Sequence, residues 1–248
     1  MKKTFHTIYG INGAKSAIKS NNCQVKTIFL EKNSLAYRDS ELKNMFSKYS
    51  LKNILKDFNS IDNPQNDRKR CQGIVVIFEF SGIKDTISDF FQNKKKNNCI
   101  LILDQLEDPQ NLGQIIRTCE CAGVDKIILT QNKSVKLSDS VLQVSQGSFS
   151  EISFYTCNNL RNILKVLKEN DYWLVALENS IDAEEWFKID LKGNIGIILG
   201  SEGRGIRRLT LEDSDFKSTI PMQGQTNSLN VSASCAVILF ERLRQILK

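Results

Sequence analysis

Hydrophobic residues recur along this chain in two alternating periods. The run CILILD (99–104) is short, apolar and uninterrupted, the pattern of a strand covered on both faces. Just after it, in DPQNLGQIIRTCECAG (108–123), Leu112, Ile115, Ile116, Cys119 and Ala122 fall at helical spacing and predict an amphipathic helix. Pro109 fixes φ upstream, Asn111 is the expected N-cap, and Gly123 suits the left-handed residue past the C-terminus. The alternation continues with a strand over DKIILT, a helix around SDSVLQVSQG, a strand near EISFYT, a helix over NLRNILKVLKEN and a strand over YWLVALEN. NIGIILG (194–200) is a further strand, and NVSASCAVILFERLRQIL a final helix. Strands and helices taking turns predict a largely parallel sheet covered on both faces.

The polar run NKKKNN (93–98) separates this region from an earlier one. There YGINGAKSAIK and SELKNMFSKYS predict helices, CQVKTIFLEK and QGIVVIFEF (72–80) predict strands, and ISDFFQ predicts a helix leading into the polar run. The expected organisation is a small α/β domain over residues 1–80, a linker over 81–98 and a second α/β domain over 99–248.

Composition narrows the class. With 248 residues, 41% hydrophobic and 25% charged, the chain is globular and can build one large core or two modest ones. It has no apolar run of membrane-spanning length, and MKKTFHTIYGING lacks the apolar segment of a secretory signal. The seven cysteines (23, 71, 99, 119, 121, 157 and 235) contain no CxxC pair, and His6 is the lone histidine, so no metal site is expected. Scattered thiols in odd number suit a reducing cytoplasm. A net charge of +6 leans toward a polyanionic partner, yet a lysine-rich solvated surface explains it equally well. Arg68, Lys69, Arg70 and Lys94, Lys95, Lys96 are candidate phosphate contacts, and no aromatic platform for stacking bases stands out.

Three stretches carry candidate chemistry. In the first helix behind CILILD, Gly113 costs about 1 kcal/mol relative to Ala, and Arg117 lies one turn later on the same face. That guanidinium can grip a phosphate or carboxylate bidentately, or it can form a structural pair with Glu120. The second stretch, IILGSEGRGIRRL (197–209), is a strand, a glycine-rich loop and a helix start. It fits neither the P-loop nor the GxGxxG spacing. Glu202 within the loop suits a cationic or hydroxyl-bearing ligand, or a hold on Arg117. The third, STIPMQGQTNSLNVSASCAVILFE (218–241), crowds Ser228, Asn230, Ser232 and Ser234 around the start of an apolar helix.

Taken in order, NLGQIIRT, ILGSEGRG and IPMQGQTNSLNVS closely resemble the three motifs of the SpoU (TrmH-like) branch of the SPOUT RNA 2′-O-methyltransferases. The resemblance covers about residues 97–248. The region from YGINGAKSAIK to QGIVVIFEF looks like the ribosomal-protein-like substrate-binding domain that often precedes it in ribosomal RNA enzymes. One local departure is that Glu151 in QGSFSEIS sits one place later than in the family's Gly-Ala-x-Glu pattern.

The resemblance implies a parallel-sheet α/β domain tied in a trefoil knot, a homodimer with active sites drawn from both chains, and S-adenosylmethionine as cofactor. By position, Gly200, Ile220 and Leu229 match the family's backbone contacts to that cofactor, and Asn111, Arg117, Glu202, Ser228 and Asn230 match its catalytic site. The implied reaction moves a methyl group to a ribose 2′-oxygen, which requires an in-line approach and no metal. Arg117 is expected to act electrostatically rather than as a base, and Glu202 to orient Arg117 or Asn230. A bare Gly113 would let RNA or a partner chain come close. The leading expectation is a guanosine in large-subunit ribosomal RNA. The alternatives are transfer RNA, and a catalytically silent RNA-binding assembly factor on the same fold.

Overall fold

The computed structural model describes residues 5–61, 71–84, 87, 91, 97–180 and 182–247. The basic clusters at 68–70 and 94–96, and most of the helix expected over ISDFFQ, lie outside the described residues. Along the chain the elements are β1 (Phe5–Tyr9), α1 (Ile11–Lys19), β2 (Cys23–Leu30), α2 (Leu35–Arg38), α3 (Ser40–Lys48), β3 (Leu55–Asp57) and β4 (Ile74–Phe80). Then come β5 (Ile83–Lys84), β6 (Cys99–Asp104), α4 (Pro109–Cys121), β7 (Lys126–Thr130), α5 (Asp139–Val144), β8 (Ser153–Cys157) and α6 (Leu160–Glu169). The remainder are β9 (Trp173–Leu177), β10 (Glu184–Glu185), β11 (Ile195–Gly200), α7 (Arg208–Glu212), β12 (Phe216–Thr219) and α8 (Val231–Leu247).

These elements form two compact units. The first takes the chain as far as Gly82 together with Leu137–Glu151, and the second takes Ile83–Lys136 and the chain from Ile152 onward. The first unit is built on a four-stranded sheet of order β1-β4-β2-β3, in which β4 runs antiparallel to both β1 and β2. Alternation in FHTIY and IVVIFEF buries Ile8, Ile74, Val76 and Phe78 with Ile28, Leu42 and Ala14. Burying each such aliphatic or aromatic side chain contributes about 1.5–3 kcal/mol.

Residues 137–151, which fall within the span expected for the second domain, group with the first unit. Their side chains are complementary to the first sheet. Gln143 accepts from Tyr9 N at 3.0 Å and donates to Tyr9 O at 3.1 Å, closing the free backbone edge of β1 as a neighbouring strand would. Phe149 stacks on Phe78 with ring centroids 5.7 Å apart, and His6 lies 2.9 Å from Asp139. Gly147, at φ +100°, passes α1 so closely that a Cβ would lie 2.3 Å from Ser16 Oγ. Glu151 ends the short 3-10 turn Ser148–Glu151 and is exposed.

The second unit carries an eight-stranded sheet of order β10-β12-β9-β11-β6-β7-β8-β5. Every pairing in it is parallel, as the alternating strands and helices predict. The chain steps outward from β6 through β7 to β8, then crosses to the other side of β6, and β11 fills the gap between β9 and β6. The order therefore reverses between β6 and β11, whose last residues Asp104 and Gly200 are paired in register. Ligands of open parallel sheets bind beyond the carboxyl ends of strands at such a reversal. Helix α4 buries Leu112, Ile115, Ile116 and Cys119 as its periodicity predicts, and α8 packs against it. Cys121 faces out while Cys119 faces in. Among the described residues no helix is long and apolar enough to cross a membrane.

Candidate active site

Two loops leave the sheet at the reversal, after β6 and after β11, a third between β12 and α8 reaches the first two, and each is fixed by a local device. Asp104, the last residue of β6, is 0% exposed. It accepts from Arg207 Nε at 2.8 Å, from Arg207 Nη2 at 2.7 Å and from the Arg207 backbone N–H at 3.1 Å. A buried carboxylate of this kind is tolerated because donors meet its oxygens. The pairing ties the end of β6 to the far side of the glycine loop that follows β11. That loop folds back on itself between Ser201 and Gly205, joined by N–H···O contacts of 3.2 and 2.9 Å. It can do so because Gly200 has no side chain: a Cβ there would stand 2.2 Å from the Gly205 carbonyl carbon. The fold-back carries Glu202 at its tip.

The start of α4 differs from the sequence reading. Asp108, not Asn111, caps the helix, accepting from Gln110 N at 2.9 Å, and Pro109 occupies the first turn where its missing N–H is harmless. Asn111 lies inside the first turn, 4% exposed, with its side chain free for other partners. Its Nδ2 donates to Glu202 Oε1 at 2.6 Å. The third loop ends at Asn230, just before α8. Asn230 Oδ1 accepts from Ser232 N at 2.9 Å, which caps that helix. Asn230 Nδ2 donates to Glu202 Oε1 at 2.6 Å and to Asn111 Oδ1 at 3.0 Å. Ser232 Oγ is 2.6 Å from Asn230 Oδ1 and 2.8 Å from Gln114 Oε1, linking the start of α8 to α4.

Asn111, Glu202 and Asn230, each singled out in a different motif, thus form one hydrogen-bonded cluster. Arg117 does not join it. It stands exposed on α4, and among the described residues it has no hydrogen bond or ion pair, with Glu202 or with Glu120. Of the two partners expected for Glu202, the structure selects Asn230 and adds Asn111. Gly113 is buried by the chain's own residues, so it offers no bare surface to RNA or to a second chain.

Beside the cluster a cleft opens between the ends of β9, β11 and β12 and the loop before α8. Gly200, Glu202, Ile220, Ser228 and Leu229 all line it, five of the eight residues named from the motifs. Its apolar walls come from Leu177, Leu199, Ile220 and Val231, and Glu178, Glu202 and Ser228 border it with polar groups. Sequence reading missed Glu178 and Asn179, which follow β9 at the same sheet edge. Asn179 Nδ2 donates to Asn227 O at 2.5 Å, and its Oδ1 accepts from Thr219 Oγ1 at 3.3 Å, so one side chain fastens the last loop to the end of β12. Two polar residues closing the apolar strand YWLVALEN were the available signal.

The profile of the SpoU rRNA Methylase family matches residues 98–240. The chain belongs to that family. The match runs from the start of β6 into α8 and takes in all three loops of the cluster. The chain is also similar to the 23S rRNA (guanosine-2'-O-)-methyltransferase RlmB of Xanthomonas campestris pv. campestris, at 30% identity over 247 residues, 99% of this chain and 98% of that one. The SpoU methyltransferase AviRb from Streptomyces viridochromogenes, solved with its cofactor AdoMet, shares the fold with a TM-score of 0.78 over 98% of this chain and 91% of that one, at 15% identity. The TrmH/SpoU tRNA modifying enzyme of A. aeolicus is similar over a shorter span, 62% of this chain and 78% of that one, with TM-score 0.56 and 27% identity. The expected fold class, a SPOUT parallel-sheet domain with a small α/β domain before it, is the one observed.

Proposed function

We propose that this SpoU-family protein methylates the 2′-oxygen of a guanosine ribose in large-subunit ribosomal RNA, with S-adenosylmethionine as methyl donor. The observation that carries the reading is the Asn111–Glu202–Asn230 cluster on the border of the cleft formed by Gly200, Ile220 and Leu229. The likeness to the RlmB enzyme spans nearly the whole chain, whereas the likeness to the tRNA modifying enzyme spans only part of it, which favours ribosomal RNA over transfer RNA.

The cleft suits that cofactor. Leu177, Leu199, Ile220 and Val231 offer apolar walls to an adenine, and the carboxylate of Glu178 suits a molecule with cationic centres. When bound, S-adenosylmethionine supplies an electrophilic methyl group on a sulfonium. Glu202 Oε1 already accepts from two amides, so its part is to fix Asn111 and Asn230 rather than to take a proton. Ser228, exposed in the cleft, is available to hold the cofactor or the ribose. The guanidinium of Arg117 presents a planar fork of donors and no acceptor. We assign it to the phosphate beside the reacting ribose or to the developing alkoxide.

Arg117, exposed and without a partner among the described residues, fits a homodimer in which it serves the site of the other chain, and Phe240, 47% exposed on α8, offers apolar surface for such a contact. The seven free cysteines suit the reducing cytoplasm. The deciding experiment is methyl transfer from labelled S-adenosylmethionine to unmodified large-subunit ribosomal RNA and, in parallel, to unmodified transfer RNA, with digestion to locate the modified nucleotide. Label in ribosomal RNA on a guanosine ribose is the expected result. Label in transfer RNA alone replaces the substrate, and cofactor binding without label in either RNA or in assembling subunits favours a silent RNA-binding role.

A further inference from the structure

Glu202 borders a second cleft as well as the first, and Asn111 lines the second. Its volume is about 230 Å3, and the two clefts meet at Ser201 and Glu202. The second is lined further by Leu106, Glu107, Asp108 and Arg204. Leu106, 1% exposed, gives it an apolar floor. Glu107 and Arg204 are exposed side chains of opposite charge on the same cleft. Neither has an ion pair or a hydrogen bond among the described residues. Asp108 is less free, because one of its oxygens caps α4.

We propose that this second cleft receives the base of the target nucleotide, and that Glu107 and Arg204 make it selective for guanine. The inference rests on the methyltransferase reading above and adds the residues that choose the substrate. A site for transfer to a ribose needs two pockets meeting at the reacting atoms, one for the donor and one for the nucleoside. The clefts that share Ser201 and Glu202 satisfy that requirement. An ionised carboxylate only accepts hydrogen bonds, and a guanidinium only donates them. Guanine alone among the four bases sets two adjacent donors, N1–H and N2–H, opposite a carboxylate and two adjacent acceptors, O6 and N7, opposite a guanidinium. Adenine places the N1 lone pair against the carboxylate, and uracil flanks its one donor with two oxygens. A base extruded from its stack is read in this way, by hydrogen bonds along its edge over an apolar floor.

The test uses the full-length protein and the ribosomal RNA segment that carries its methylation site, ligated with guanosine, inosine or 7-deazaguanosine at the target. Inosine lacks the N2 amino group and 7-deazaguanosine lacks N7. Wild type is expected to prefer guanosine over inosine in single-turnover transfer. Glu107→Gln should lower kcat/KM on guanosine by about 10- to 100-fold, the size of one bidentate base contact, and bring the guanosine-to-inosine ratio close to one. Arg204→Gln should likewise erase the preference for guanosine over 7-deazaguanosine. Calorimetry with S-adenosylmethionine should give unchanged affinity in both variants. Equal losses on guanosine and inosine, or no loss, overturn the proposal. Methylation of a different base by wild type overturns the guanine pocket and leaves the methyltransferase reading intact, whereas no transfer to any RNA removes the reading beneath it.

Discussion

Asn111 and Asn230, 119 residues apart in sequence, donate to the same oxygen of Glu202, each at 2.6 Å. Both amides lean on one carboxylate, and an amide in its place keeps an acceptor oxygen but removes the charge that strengthens the two bonds. Glu202→Gln should therefore slow methyl transfer by about 10- to 100-fold, the loss of one hydrogen bond to a charged group. The affinity for S-adenosylmethionine, measured by calorimetry, should change little. A comparable loss of cofactor affinity would mean that Glu202 binds the cofactor directly.

Arg117→Lys keeps the charge and removes the planar fork. If the fork grips a phosphate, the variant loses most of its single-turnover rate while cofactor binding stays intact. Near-normal turnover would reduce the role to charge alone. Mixing Arg117→Lys with Glu202→Gln chains should restore part of the lost activity if each site draws on two chains, and none if each site is complete in one.

Asn179 holds two parts of the cofactor cleft together without belonging to the Asn111 cluster. Asn179→Ala should loosen the last loop and raise the KM for S-adenosylmethionine by about 5- to 10-fold, in line with about 1 kcal/mol for a net hydrogen bond, with kcat little changed. A fall in kcat at unchanged KM would place its effect on the reacting groups instead.

Gly200→Ala should abolish cofactor binding, since its Cβ would overlap the backbone of Gly205 at 2.2–2.3 Å. Nothing flexible stands in the way that could swing aside. Gly203→Ala is the control: its Cβ meets nothing within 4 Å, and the variant should bind cofactor nearly as wild type does.

Burial pushes the thiols of Cys99 and Cys157 up to about 11 from an ordinary value of 9.0. In the folded protein they stay neutral at a pH where the unfolded chain ionises them. The stability they contribute is complete below about pH 9 and is lost as the pH rises toward 11. The urea midpoint should fall across that interval, and less steeply in Cys99→Ala. An equally steep fall in that variant would assign the loss to other groups.

Much of this architecture was legible in the sequence because the signals are local. Leu112, Ile115, Ile116 and Cys119 declare the buried face of α4 by spacing, and CILILD declares a central strand by its unbroken apolar run. The cap of α4 was misread because Asp108 and Asn111 are both good caps, and only geometry shows that Asn111 is engaged elsewhere. Strands β1 and β12 passed unnoticed because FHTIY and FKST mix polar and apolar residues as many loops do. The motifs identified Glu202 and Asn230, but their pairing depends on where the chain re-enters the sheet, and no spacing rule carries that. For the same reason the partners of Asn179 and the Asp104–Arg207 tie are not readable from the sequence.

The docking of residues 137–151 with the first unit bears on the order in which the protein can be made. Domains usually fold from the N-terminus as they leave the ribosome. Here a nascent chain that has emerged only to Gly82 still lacks Phe149 against Phe78 and Gln143 against the edge of β1. Strand β6, helix α4 and strand β7 are all synthesised before those missing pieces arrive. The first unit is therefore completed only after much of the second has been made. During translation its aromatic core waits, partly uncovered, for residues encoded in the middle of the next unit.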